Sequence, residues 1–252
     1  MNLLLLDPGE LDGRRAVVRG PRLVHAREVL RACAGETLRV GVLGGAVGEA
    51  TIVAVDDHAL VLDCTLDRAP PPAVPVSLVL ALPRPPVLRR ALEHLAALGV
   101  KRVALIHTAR TEKSYWSSHA LAPAAITAAL HAGLAQGRDT VVPDVTLHPR
   151  FRPFVEDVLP GWCEGQLFVA HPASVRWPAQ PCPAVLPAPA TVAVGPEGGF
   201  VDAELERLAA AGAMRVGLGP RPLRVETAVT VLIGRALAGA EGSVAGGSAL
   251  GA

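Results

Sequence analysis

Two segments of the chain combine residue types that could seat a ligand. Gly195-Pro196-Glu197-Gly198-Gly199-Phe200 follows one apolar run, and Leu218-Gly219-Pro220-Arg221-Pro222-Leu223-Arg224-Val225-Glu226-Thr227-Ala228 follows the next. Both positions are expected at the carboxyl ends of strands, the edge where open α/β sheets place ligands. A Gly-Gly pair lets backbone approach a ligand without an intervening Cβ, and Pro196 presets a turn. Taken alone, the first segment is more often a mere tight turn. It is not a P-loop, since no Gly-Lys-Ser/Thr follows. It is not a dinucleotide fingerprint either, since no GxGxxG opens a helix after a strand. No GxSxG nucleophile elbow occurs in the chain.

The elements that must position these segments are read from hydrophobic spacing. Val76 to Leu82 has the continuous apolar character of a buried strand. Val87, Leu88, Ala91, Leu92, Leu95, Ala96 and Leu98 then fall on one helical face, with Gly99 as a stop. Further strands are expected at Arg102 to His107, Gln166 to Ala170, Thr191 to Val194 and Met214 to Leu218. Helices are expected at Ala124 to Ala135, from Asp202, and from Val225 to Ala240. This alternation argues for a parallel sheet with crossover helices. Before the proline-rich Ala69 to Pro75, short β-rich pieces at Thr37 to Leu43, Ala50 to Val55 and Ala59 to Leu62 have the spacing of a small barrel or sandwich, interrupted by a helix at His25 to Ala34. The expected division is therefore a barrel over 1–70, an α/β domain over 71–241 and a disordered tail over 242–252. A second proline-rich stretch, Pro172 to Pro189, is expected as an exposed loop.

Composition narrows the function. Half of the 252 residues are apolar and 19% are charged, enough to fold a core and too few charges for a disordered chain. Aromatics are 3%, which argues against a platform of stacked rings for bases. The net charge of +1 hides an imbalance, because 22 of the 24 basic residues are Arg and only Lys101 and Lys113 are Lys. Arg is the side chain of bidentate phosphate contacts, although an Arg-rich proteome gives the same count. Cys33, Cys64, Cys163 and Cys182 form no CxxC pair and no zinc-ligand spacing, so they read as buried, reduced residues and no metal is expected. The start lacks the basic region of a signal peptide and no run approaches the roughly 20 residues of a membrane span, so a cytoplasmic protein is expected.

Together the two segments are far more specific than either. Strand-GPEGGF, a helix with acidic residues at its start, and strand-LGPRxLRxETA leading into the last helix resemble the SPOUT class of S-adenosylmethionine-dependent RNA methyltransferases. Within that class they are similar to the ribosomal RNA small subunit methyltransferase E family, which methylates N3 of a uridine in small-subunit ribosomal RNA. The similarity is strongest over Val192 to Leu237 and extends to Val76 to Val100. It also takes in Leu23 to Gly45, where His25, Val29-Leu30-Arg31 and Gly35 are similar to a PUA-like RNA-binding barrel. The resemblance implies a C-terminal SPOUT α/β domain with a deep trefoil knot, preceded by that small barrel. It implies S-adenosylmethionine as cofactor, held by Gly195, Glu197, Gly198, Gly199, Leu218, Gly219 and Leu223. It also implies a homodimer through the C-terminal domain, which suits a last helix carrying Ala228, Val229, Val231, Leu232, Ile233, Ala236 and Leu237; a helix buried within one domain shows the same pattern.

Methyl transfer from a sulfonium needs an in-line nucleophile, and the imide nitrogen of uridine is a poor one until its proton leaves. Positioning and charge stabilisation should therefore dominate. Arg224 could hold a phosphate or the anionic uracil, and Glu226 could orient Arg224 or accept a proton; an ordinary ion pair is the alternative. Seven arginines lie between Asp12 and Arg39 against three acids, and Arg14, Arg15, Arg19, Arg22, Arg27 and Arg31 are the candidate RNA-binding residues. A second basic segment holds Arg84, Arg89, Arg90, Lys101, Arg102, Arg110 and Lys113. The expected partner is small-subunit ribosomal RNA or the assembled subunit. The chain departs from the family at Pro83-Arg84-Pro85-Pro86, where a lysine-glycine-acid turn is usual, and at Ala97, Lys113, Ala135 and Pro222. Most of these departures lie on the substrate side. A methyltransferase for another RNA, or a non-catalytic RNA- or ribosome-binding protein of the same fold, therefore stays open.

Overall fold

The computed structural model describes residues 3–29, 31–172 and 180–246. The chain forms two units, the first of residues 1–72 and 131–142, the second of residues 73–130 and 143–252.

In the first unit, β1 (Leu4–Leu6), β2 (Leu11–Asp12), β3 (Arg15–Val18), β4 (Thr37–Val42), β5 (Val47–Val55) and β6 (Leu60–Arg68) form one sheet, in the order β1-β4-β5-β6-β3-β2. All of its pairings are antiparallel except β1 with β4. Alternation in β5 and β6 turns Ala50, Ile52, Leu60, Leu62 and Cys64 inward around Leu6, Val18, Leu23 and Val40. The helix α1 spans Pro21–Glu28, four residues earlier than the spacing predicts. Pro21 at its first position has the helical φ preset, Gly20 turns into it at φ +68, and Arg31 at φ +53 follows its end. Residues 131–142 belong here because Leu3 donates to the Ala135 carbonyl at 2.9 Å, Gly44 to the Thr140 carbonyl at 2.8 Å, and Thr140 Oγ1 to the Gly45 carbonyl at 2.5 Å.

The second unit is built on a parallel sheet of seven strands. These are β7 (Val76–Ala81), β8 (Arg102–Ile106), β9 (Asp144–His148), β10 (Gln166–Ala170), β11 (Gln180–Pro181), β12 (Ala190–Val194) and β13 (Met214–Gly217), in the order β11-β13-β10-β12-β7-β8-β9. Every residue of β7 and β12 is buried, as central strands covered on both faces require. The helices are α2 (Pro85–Ala97), α3 (Pro123–Gly137), whose residues from His131 belong to the first unit, the short α4 (Phe151–Pro153) and α5 (Leu159–Trp162) joined by a π-wound turn (Phe154–Val158), α6 (Asp202–Ala210) and α7 (Val225–Gly246). One core packs Val79, Ala104, Val169 and Ala193 against Phe154, Leu159, Phe200, Leu205 and Leu208. Helices α2 and α7 pack on each other, burying Leu88, Leu92 and Leu95 from one and Val229, Leu232 and Ile233 from the other.

Three expectations are corrected. The last helix runs to Gly246, past the expected start of the tail at 242, and residues 247–252 lie outside the described residues. The stretch from Pro172 is not simply an exposed loop. Its residues 173–179 lie outside the described residues, but Gln180–Pro181 adds a strand to the sheet edge, and Cys182 and Leu186 are buried. The cysteines are all free, but only Cys64 and Cys182 are buried; Cys33 is exposed and Cys163 half-buried.

Candidate functional site

A cavity of about 980 Å³ opens at the carboxyl edge of the parallel sheet in the second unit. Its walls come from the turn after β12, the loop between β13 and α7, the start of α2, Arg110 after β8 and the end of β10. All seven residues expected around a cofactor line it: Gly195, Glu197, Gly198, Gly199, Leu218, Gly219 and Leu223. So do Arg224 and Glu226. The volume lies at the upper end of the roughly 300–1,000 Å³ of small-ligand pockets.

The glycine turn is tight by necessity. A Cβ on Gly195 would lie 3.2 Å from Gly199 Cα and from the Phe200 nitrogen, so a side chain there would force the turn to give by a few tenths of an ångström. Gly199 sits at φ +70, where its amide donates to the Pro196 carbonyl at 2.8 Å. Behind the turn, the buried Glu204 accepts from the Ala109 amide at 2.7 Å and the Val201 amide at 2.9 Å. This carboxylate ties the segment after β8 to the start of α6, and Arg110 from that segment donates to the Gly198 carbonyl. Glu197 accepts from the Arg84 amide at 3.1 Å, linking the turn to the entrance of α2.

The polar groups differ from the simplest expectation. Glu226 makes no hydrogen bond or ion pair with Arg224 among the described residues; Arg90 Nη2 donates to it at 3.1 Å. Its carboxyl is held below the ordinary range first by its own backbone amide, then by Arg90, and more weakly by Arg224. A carboxylate so stabilised is a poor proton acceptor, which argues against the proton-accepting role for Glu226. Arg224 is exposed at the rim, with no side-chain hydrogen bond or ion pair among the described residues. Arg84, Arg90, Arg110 and Arg221 also line the cavity, so with Arg224 five arginines contribute to its wall. Of the second basic segment, Arg89 is spent on Glu93 and Arg102 on Glu164. Sequence reasoning passed over His171, which follows β10 and lines the same cavity. The available signal was the one used for the glycine loops, a polar residue directly after a buried apolar run.

The candidate RNA-binding arginines all lie in the first unit and divide into two groups. Arg14 pairs with Asp63 at 3.0 Å, Arg22 with Asp7 at 3.1 Å and Glu10 at 2.6 Å, and Arg27 with Asp57 at 2.5 Å. Arg15, Arg19 and Arg31 are exposed and make no ion pair among the described residues. The apolar stripe of α7 is largely filled within the chain, since Val229, Leu232, Ile233 and Ala236 are buried. It does not by itself call for a second copy.

The RNA methyltransferase domain family has a model that matches residues 70–237, two thirds of the chain and all of the cavity's lining. The chain belongs to the RNA methyltransferase domain family. It is 28% identical to the ribosomal RNA small subunit methyltransferase E of Treponema pallidum, with 95% of this chain and 92% of that one covered. A putative methyltransferase from Legionella pneumophila, solved in complex with S-adenosylmethionine, shares the fold at a TM-score of 0.72 and 20% identity, over 94% of this chain and 96% of that one. The ribosomal RNA small subunit methyltransferase E of Neisseria gonorrhoeae, bound to S-adenosyl methionine, does so at 0.66 and 20%, over 93% and 95%. Among the described residues no helix is long and apolar enough to cross a membrane, and no group of three or more His, Cys, Asp or Glu could hold a metal ion.

Proposed function

We propose that this RNA methyltransferase family member transfers a methyl group from S-adenosylmethionine to N3 of a uridine in small-subunit ribosomal RNA. The observation that carries the reading is the single cavity that gathers both glycine loops and five arginines, in a chain similar to small-subunit methyltransferase E over nearly its full length. The residues fit the cofactor. Gly195, Gly198, Gly199 and Gly219 let a ligand approach the backbone with no side chain between, Leu218 and Leu223 offer apolar contact to an adenine, and Glu197 gives a carboxylate for the ammonium of an amino acid. When bound, S-adenosylmethionine supplies an electrophilic methyl on a sulfonium sulfur, which keeps the C–S bonding pair as it leaves.

The chain's own part is positioning and charge. Arg224 and Arg221 at the rim are placed to hold a phosphate or a uracil carrying negative charge, and the Arg90–Glu226 pair fixes the start of α7 beneath them. In this reading the second unit carries the knotted SPOUT domain, expected over residues 71–241, except that residues 131–142 pack in the first unit, whose sheet is the PUA-like barrel of residues 1–70. Arg15, Arg19 and Arg31 grip phosphate there, with Arg14, Arg22 and Arg27 set by their acidic partners. A cytoplasmic homodimer through the second unit completes it, resting on the family resemblance. The test is nucleoside mass spectrometry of small-subunit RNA from a strain lacking this gene: N3-methyluridine should vanish, and an unchanged profile would refute the target. Loss of a modified nucleoside from transfer or large-subunit RNA instead would assign the enzyme to another RNA.

A further inference from the structure

We propose that His171 is the proton acceptor of the reaction, taking the N3 proton of the substrate uracil through its Nε2. The proposal rests on the uridine-N3 reading above. His171 follows β10, which lies between β12 and β13 in the sheet, so it stands between the two glycine-bearing loops at the edge of the cavity. Its ring lies against the turn: a Cβ on Gly199 would come within 3.3 Å of His171 Cε1. Nδ1 is sealed from solvent and has no hydrogen-bond partner among the described residues, so the proposal assigns the proton transfer to Nε2. Folded proteins seldom leave a buried ring nitrogen unpaired, and functional sites are where they do.

The other ionisable groups of the cavity are poorly suited to the task. The five arginines do not give up their protons. Glu226 is paired with Arg90, and Glu197 accepts the Arg84 amide. Burial, with Arg215 on β13 and Arg110 after β8 close by, pushes the His171 imidazole below its ordinary value of 6.5; Asp202 at the start of α6 opposes this. The ring is therefore mostly neutral at pH 7 and has a lone pair to offer, whereas the two carboxylates of the cavity are already engaged by Arg90 and the Arg84 amide. In the step, the N3–H bond breaks and its electron pair stays on nitrogen, where it becomes the pair that accepts the methyl carbon. The proton goes to the Nε2 lone pair. The resulting imidazolium, facing Arg110 and Arg215, then returns the proton to solvent.

The test uses the full chain, unmodified small ribosomal subunits and labelled S-adenosylmethionine, with His171→Asn and His171→Gln. Both variants should keep S-adenosylmethionine affinity within about threefold by calorimetry, while turnover at pH 7 falls by roughly 10²–10⁴-fold. The deficit should narrow as pH rises and the uracil ionises unaided. A deficit that is constant with pH, or cofactor affinity that falls in step with turnover, would mark a structural role and overturn the proposal. A readout independent of turnover and of any variant is the NMR titration of the imidazole. The ring should titrate below the ordinary imidazole range, and its neutral form should carry the proton on Nδ1, whereas a neutral ring with its proton on Nε2 would overturn the proposal. If the wild type transfers no methyl, the uridine-N3 reading itself fails. If the wild type and both variants transfer alike, only the role of His171 does.

Discussion

Gly199→Ala tests the glycine turn most sharply, because the structure fixes the size of its effect. The residue sits at φ +70, and an added Cβ would meet His171 Cε1 at 3.3 Å, close enough to make the ring yield. A side chain in the left-handed region costs about 1–2 kcal/mol. At roughly 2–4 °C per kcal/mol for a chain of this size, the melting temperature should drop by about 2–8 °C. A turn that relaxes to escape the strain gives up the geometry that faces the cavity, so S-adenosylmethionine affinity should weaken by about 5–30-fold, the same energy expressed as a ratio. Calorimetry and thermal melts measure both effects. Gly161→Ala is the internal contrast. That glycine lies in α5 with nothing within 4 Å of a new Cβ, so the change should leave affinity alone and raise stability by up to about 1 kcal/mol. Wild-type affinity and melting in Gly199→Ala would refute the argument that this turn is built around a bare backbone.

Glu204→Gln should lower the melting temperature. The two carboxylate oxygens each accept one backbone amide, and a carboxamide must turn an NH₂ toward one of them, leaving a buried donor unmet at about 1–3 kcal/mol; an unchanged melt would sink this account of how Arg110 is held. Changing Arg15, Arg19 and Arg31 together to Gln should weaken RNA binding and flatten its dependence on log salt by about 0.7–0.9 for each phosphate that is no longer neutralised. Arg14→Gln should leave that slope nearly unchanged, because Arg14 is already paired with Asp63; equal slopes for both variants would show that the division of the arginines is irrelevant to RNA.

The parallel sheet was legible in the sequence because its strands are buried on both faces. Val76–Ala81 and Ala190–Val194 are apolar but for Ser77 and Thr191, a signal that needs no partner to be read. The glycine loops were legible because backbone geometry at Gly199 and Gly219 restricts the residue type. What depended on tertiary packing was not. Residues 131–142 join the first unit through Thr140 and Ala135, which carry no local mark of it. The start of α1 was set by Pro21 after a left-handed Gly20, where apolar spacing alone suggested His25. The partner of Glu226 is Arg90, 136 residues away, which spacing near Arg224 could not reveal. His171 carried only the weak signal of a polar residue after a buried apolar run; its meaning comes from the two strands on either side of β10.

The central claim is a methyl transfer, and its most direct test is to incubate the purified chain with labelled S-adenosylmethionine and small ribosomal subunits lacking the modification, then digest the RNA and identify the labelled nucleoside by mass spectrometry. The account predicts label in N3-methyluridine alone, in the small-subunit RNA, and its disappearance with Arg224→Ala while cofactor binding persists. Cofactor binding with no label in any RNA would contradict it.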